Sequence, residues 1–143
     1  ELVARCCILK TDIVARDPLE HGERMLLNWG HTWGHAVETV AGYGVILHGE
    51  AVAMGMVQAA LWGERIGVTP PGIRARVARL LSQWGLPDQA PGLDSARLCA
   101  AMTRDKKATG EAITVVLLEE IGRAVLREAS LQRLADWTRE ALA

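Results

Sequence analysis

The chain has 143 residues, half of them hydrophobic and 23% charged, the balance of an ordinary globular domain and not of a disordered chain. Sixteen basic against 17 acidic residues leave a net charge of −1, so no general field recruits nucleic acid or an anionic membrane, and neither is expected as a partner. No apolar run has the length of a spanning helix, and no basic lead into an apolar stretch marks a secretory signal, so the cytoplasm is the expected location.

One domain over residues 1–143 is expected, because a chain of this size can bury about 68–70% of the surface it exposes when unfolded. It opens on Glu1 rather than Met, which suggests a piece of a longer protein or a trimmed chain. Cys6, Cys7 and Cys99 make neither a disulfide framework nor a CxxC zinc spacing, and are expected to be reduced and mostly buried. The basic residues are 13 Arg against only three Lys, at Lys10, Lys106 and Lys107, which singles those lysines out.

Apolar residues at helical spacing (Leu2, Val3, Cys6, Leu9, Ile13) predict a first helix to about Ala15, closed by Asp17-Pro18. A second helical pattern runs from Glu23 to about Ala41 and ends at Gly42-Tyr43-Gly44. Gly30 and Gly34 lie inside it, and since glycine costs about 1 kcal/mol in a helix interior, something must approach that backbone closely. Residues 49–66 read as a buried helix rich in small residues. A helix over Pro71–Trp84 has an arginine-rich solvated face, and a short helix over Ser95–Arg104 is capped by Asp94 or Ser95. A two-stranded hairpin is predicted near residues 112–127 around the turn Glu119-Glu120, and an amphipathic helix over Ser130–Leu142. The fold class is therefore mainly α.

Three of the four histidines fall within 18 residues, in NWGHTWGHAVE and LHGE. On one continuous helix His31 and His35 project from the same face, with Asn28 and Glu38 beside them, and His48 can fold back over that stripe from the start of the next helix. Imidazoles from two adjoining helices suit Zn²⁺ or a similar divalent metal. The bland alternative is core histidines satisfied by Glu38 and Glu50; the glycines at 30 and 34, clearing space beside both histidines, favour a metal site or ligand pocket. HExxH is absent, so this is not a zincin protease. Arg24 lies four residues before Asn28, which on such a helix turns its cation toward the histidines, although an exposed pair with Glu20 or Glu23 is the alternative. Lys10, Lys106 and Lys107 could converge on the same anion. His21 is expected at the surface.

The blocks LLNWGHTWGHAVE, YGVILHGEAVAMGM and MTRDKKATG with VVLLEEIG resemble the helical C-terminal metal- and substrate-binding domain of the 3-dehydroquinate synthases, over nearly the whole chain. That resemblance implies a divalent metal, Zn²⁺ or Co²⁺, held by His31 and His48 and by a glutamate from outside this region. It moves His35 from the metal to the substrate site. It assigns Lys10, Arg24, Asn28 and one of Lys106 and Lys107 to substrate hydroxyls, carboxylate and phosphate. It implies a phosphate-eliminating lyase of the shikimate pathway that converts 3-deoxy-D-arabino-heptulosonate 7-phosphate, a seven-carbon keto acid phosphate, to 3-dehydroquinate. It also implies a homodimer, and NAD⁺ held mainly by an N-terminal domain that nothing here supplies, so this chain alone should not turn over. Sugar-phosphate cyclases of the 2-epi-5-epi-valiolone or 2-deoxy-scyllo-inosose synthase type share these blocks. Iron-containing alcohol dehydrogenases lack them as a set. A non-catalytic helical module of the family is the alternative from another class.

Overall fold

The computed structural model describes residues 1–42, 44–90, 92–103 and 112–142. In chain order these form α1 (Leu2–Arg16), a short 3-10 helix (Glu23–Asn28), α2 (His31–Ala41), α3 (His48–Arg65), α4 (Ile73–Gln83), α5 (Ser95–Thr103), the antiparallel pair β1 (Ile113–Glu120) and β2 (Arg123–Ala129), and α6 (Leu131–Leu142). The fold is mainly α with one hairpin, as the periodicities predict.

The centre is α3, 11 of whose 18 residues are buried, as an apolar helix of small residues requires. It packs on α2, α4, β1 and α6. The α2–α3 contact is backbone on backbone. A Cβ at Gly30 would meet the Met56 nitrogen and the Val52 oxygen at 2.7 Å, and one at Gly34 would meet the Ala51 oxygen at 3.1 Å. The close approach that the glycines imply is real, but α3 makes it. The space they clear serves helix packing, which corrects their use as a sign of a ligand.

A further correction concerns the helix expected from Glu23 to Ala41. It is broken: the first turn is a 3-10 helix ending at Asn28, and Gly30 takes φ +84° before α2 starts at His31. Only glycine adopts that conformation readily. In the hairpin the turn falls at Ile121-Gly122, with Gly122 at φ +93°, and not at Glu119-Glu120, which close β1. The Thr69 hydroxyl, fully buried after α3, donates to the Leu118 carbonyl at 2.6 Å and ties the helices to the hairpin.

The core gathers Trp33, Trp62 and Trp137, with ring centroids 6.0 Å apart for the first pair and 5.9 Å for the second. In α5 the Asp94 carboxylate accepts the Ala96 amide at 2.7 Å, the cap expected there. Helix α1 differs from the rest, with no buried residue and with the 3-10 helix as its packing partner. Cys6 and Cys7 are exposed on it, against expectation, because α1 does not enter the core; Cys99 is buried. Burial raises the Cys99 thiol above its ordinary pKa and keeps it protonated. No helix among the described residues is long and apolar enough to cross a membrane.

Candidate functional site

The first turn of α2 presents His31 and the second presents His35, one turn apart on the same side. Helix α3 begins at His48, whose position is held when the Glu50 carboxylate accepts the Leu47 amide at 2.9 Å. The loop between α2 and α3 folds His48 back, so that the three imidazoles form a triangle. Ring centroids are 5.5 Å apart for His31 and His35, 5.4 Å for His31 and His48, and 5.7 Å for His35 and His48. The last two rings lie nearly parallel, at 24°.

Under that pair sits Glu38, its side chain 15% exposed. Its Oε2 is 3.0 Å from His35 Nδ1, and its Oε1 is 3.2 Å from His48 Nδ1. Burial pushes the Glu38 carboxyl pKa up, but the bonds and charge of His35 and His48 outweigh it and leave it below its ordinary value, so Glu38 is ionised at neutral pH. His31 is partly buried, with Nδ1 3.4 Å from the Trp29 carbonyl. Burial holds its imidazole below the ordinary pKa, opposed by the Trp29 and Asn28 backbone and reinforced by the neighbouring histidines. It is therefore neutral at pH 7, the form that can ligate a metal.

His31 and His35, but not His48, line a cleft of about 430 Å³ together with Met25, Asn28, Met102 and Ile113. The donor chemistry fits a divalent cation of the Zn²⁺ kind: imidazole nitrogens from two helices, with a carboxylate beside them. His35, Glu38 and His48 each offer a ligand atom within 4.8 Å of the others. Among the described residues this is the set that the spacing brings together, and it does not include His31, one of the two histidines expected to hold the metal.

The remaining predicted site residues fall differently. Asn28 lines the cleft, but from the 3-10 helix and not from the helix of the histidines, and its Nδ2 donates to Glu20 Oε1 at 2.7 Å. Arg24 takes the bland course: its guanidinium lies 3.5 Å from Glu20 Oε2 and donates to the Pro18 carbonyl at 2.8 Å. The broken helix explains this, because Arg24 and Asn28 no longer share a face with His31. Lys10 is exposed on α1. Lys106 and Lys107 lie outside the described residues. His21 is exposed, as expected. The sequence offers Glu38 as a member of the polar stripe and, in the bland alternative, as a carboxylate that satisfies histidines; it meets His35, and its bridge to His48, ten residues away, is a contact that no local spacing gives.

A family profile described as 3-dehydroquinate synthase C-terminal matches residues 1–108. This chain belongs to that family. Among the relatives of the 3-dehydroquinate synthase C-terminal family, the 3-dehydroquinate synthase of Lactococcus lactis subsp. cremoris (strain MG1363) is 42% identical over 140 residues, which are 98% of this chain and 39% of that protein. The 3-dehydroquinate synthase of Streptococcus pneumoniae (strain ATCC 700669 / Spain 23F-1) is 42% identical over 136 residues, covering 95% of this chain and 38% of that protein. The chain thus spans about two fifths of the length of these relatives.

The fold matches a crystal structure of 2-deoxy-scyllo-inosose synthase complexed with carbaglucose-6-phosphate, NAD⁺ and Co²⁺, with TM-score 0.83 and 25% identity, over 96% of this chain and 39% of that one. It also matches 2-epi-5-epi-valiolone synthase from Streptomyces hygroscopicus subsp. jinggangensis 5008 with NAD⁺ and Zn²⁺ bound, with TM-score 0.74 and 25% identity, over 92% of this chain and 36% of that one.

Proposed function

We propose that this chain is the metal- and substrate-binding part of a 3-dehydroquinate synthase, which converts 3-deoxy-D-arabino-heptulosonate 7-phosphate to 3-dehydroquinate and phosphate. The observation that carries the reading is the triangle of His31, His35 and His48, the first two of which line one cleft. Relatives named 3-dehydroquinate synthase at 42% identity favour this substrate over those of the cyclases matched at 25%.

In this reading His31 and His48 hold a divalent metal, with a third ligand and most of the NAD⁺ site supplied from outside these residues. When bound, the metal is a Lewis acid toward the substrate oxygens and NAD⁺ supplies reversible hydride transfer. His35, exposed and not needed as a ligand, moves protons between substrate and solvent near neutral pH. Asn28 contributes an amide to hold substrate oxygen, and Met25, Met102 and Ile113 form the apolar wall that keeps bulk water from it. Lys10, Arg24 and one of Lys106 and Lys107 supply cations for the carboxylate and phosphate. Arg24 reaches the cleft by exchanging its Glu20 partner for substrate, an exchange whose cost is small because such exposed pairs contribute at most about 1 kcal/mol.

The test is phosphate release by the full-length protein with NAD⁺ and Zn²⁺. Turnover of 3-deoxy-D-arabino-heptulosonate 7-phosphate, with none of glucose 6-phosphate or sedoheptulose 7-phosphate, is the expected result. Preference for either sugar phosphate would place the chain among the other cyclases, and no release from any of the three would leave a non-catalytic module.

A further inference from the structure

The geometry points to Glu38 as a positioning residue: one carboxylate holds the Nδ1–H of both His35 and His48, leaving Nε2 of each free to bind a metal or move a proton. The inference rests on the reading of these histidines as metal and proton-transfer groups. It goes beyond that reading in saying what sets their chemistry.

A neutral imidazole has one N–H and one lone pair, and which nitrogen carries the proton is decided by the partner of the other. A carboxylate accepts and does not donate. Glu38 stands 3.0 Å from His35 Nδ1, and 3.2 and 3.3 Å from His48 Nδ1 through its two oxygens. Both Nδ1 atoms must therefore be donors. The two rings lie stacked, 5.7 Å apart between centroids and 24° from parallel, with both Nδ1 atoms on the same carboxylate. His31 follows the same rule with a different acceptor, its Nδ1 facing the Trp29 carbonyl at 3.4 Å. Carboxylates and carbonyls behind imidazole ligands fix ring orientation and raise basicity. Here one carboxylate serves two histidines with different tasks, so the geometry of the metal ligand and that of the proton carrier are coupled.

The test uses the full-length protein labelled with ¹⁵N-histidine, in which long-range proton–nitrogen spectra report which ring nitrogen carries hydrogen. Without metal and above pH 8, His35 and His48 are expected both to be Nδ1–H. Glu38→Gln keeps the shape but offers one acceptor and one donor, so at least one of the two histidines is expected to change to Nε2–H. Finding either histidine as Nε2–H in the unaltered protein, or no change in Glu38→Gln, would overturn the proposal. Neither readout needs metal or turnover, so the idea can fail while the metal reading stands. Added Zn²⁺ should leave the two Nδ1–H signals in place, whereas their loss would make Glu38 itself a ligand. Zn²⁺ affinity should fall about 10–100-fold in Glu38→Ala and stay within about twofold in Gln83→Ala, exposed at the end of α4. Unchanged affinity in Glu38→Ala would count against the proposal, and recovery in Glu38→Asp would support it.

Discussion

The carbonyl of Gly30 occupies the place where a side chain on Gly55 would begin. The two residues come from the N-terminal edge of α2 and the middle of α3, and their contact sets how closely the helix bearing His31 and His35 approaches the helix bearing His48. A methyl group at Gly55 has backbone in its way and no flexible neighbour to displace. Gly55→Ala is expected to destabilise by about 3 kcal/mol or more, at or beyond the upper end of overpacking costs. Gly49→Ala, in the first turn of the same helix with open space around it, should be neutral or stabilising by up to about 1 kcal/mol. Urea unfolding of both variants measures the difference, and equal effects would contradict the packing argument.

Thr69 and Leu118 connect the helical layer to the hairpin through one buried bond. Thr69→Val keeps the volume and removes the donor, leaving the carbonyl with one partner fewer in a dry place. A loss of about 1–3 kcal/mol is expected by thermal or urea unfolding. A variant as stable as the parent would show that the hydroxyl is not what joins the layers.

Asp17 accepts amides from His21, Gly22 and Arg24 at 3.1, 2.8 and 3.0 Å, folding the loop that leads into the 3-10 helix. The Arg24 amide lowers its pKa most; burial opposes it, and the His21 and Gly22 amides add to the lowering, leaving the carboxyl below its ordinary value. The folded form thus binds this proton less readily than the unfolded one. Its stabilising contribution is complete above the unfolded value of about 3.9 and is lost as pH falls through the lower folded value. The stability gap between the parent and Asp17→Asn should therefore be constant from pH 5 to 7 and narrow below about pH 4. A gap that widens in acid would reverse the assignment.

The three histidines are expected to separate by function. His31→Ala and His48→Ala should each weaken Zn²⁺ binding by more than about 100-fold, beyond the effect of removing a partner behind a ligand. His35→Ala should keep affinity within about tenfold while kcat falls by about 10²–10⁴. Zn²⁺ competition assays on the full-length protein, alongside phosphate release, read both quantities. A His35 variant that loses metal as the other two do would make all three ligands.

Much of this molecule is legible in its sequence where one periodicity governs a whole element. The small residues from Ala51 to Ala60 announce a buried helix, and the start of α3 at His48 follows from the same stretch. The break at Trp29-Gly30 was hidden because Met25, Leu26 and Leu27 keep a helical rhythm inside the 3-10 turn, and a glycine at φ +84° looks in the sequence like one at helical φ. That hidden break also misplaced Arg24 and Asn28, whose expected face existed only on a continuous helix. Glu119 and Glu120 looked like a turn because they are polar, yet they pair with Arg123 across the true turn one step later. The bridge from Glu38 to His48 is a tertiary contact, and no local spacing encodes it.

Helix α1 makes its hydrogen bonds almost entirely within itself, and Leu2, Val3, Ile8 and Leu9 stand 50–76% exposed along it. A helix of 15 residues without tertiary burial is close to the length at which an isolated helix is only marginal in water. Amide exchange in this chain is accordingly expected to fall into two classes, with α1 opening at a small fraction of the free energy that opens α3. Lys10 rides on the fast-exchanging class and the histidines on the slow one. Of the cations proposed for substrate, Lys10 is thus only as well placed as the least buried α-helix among the described residues.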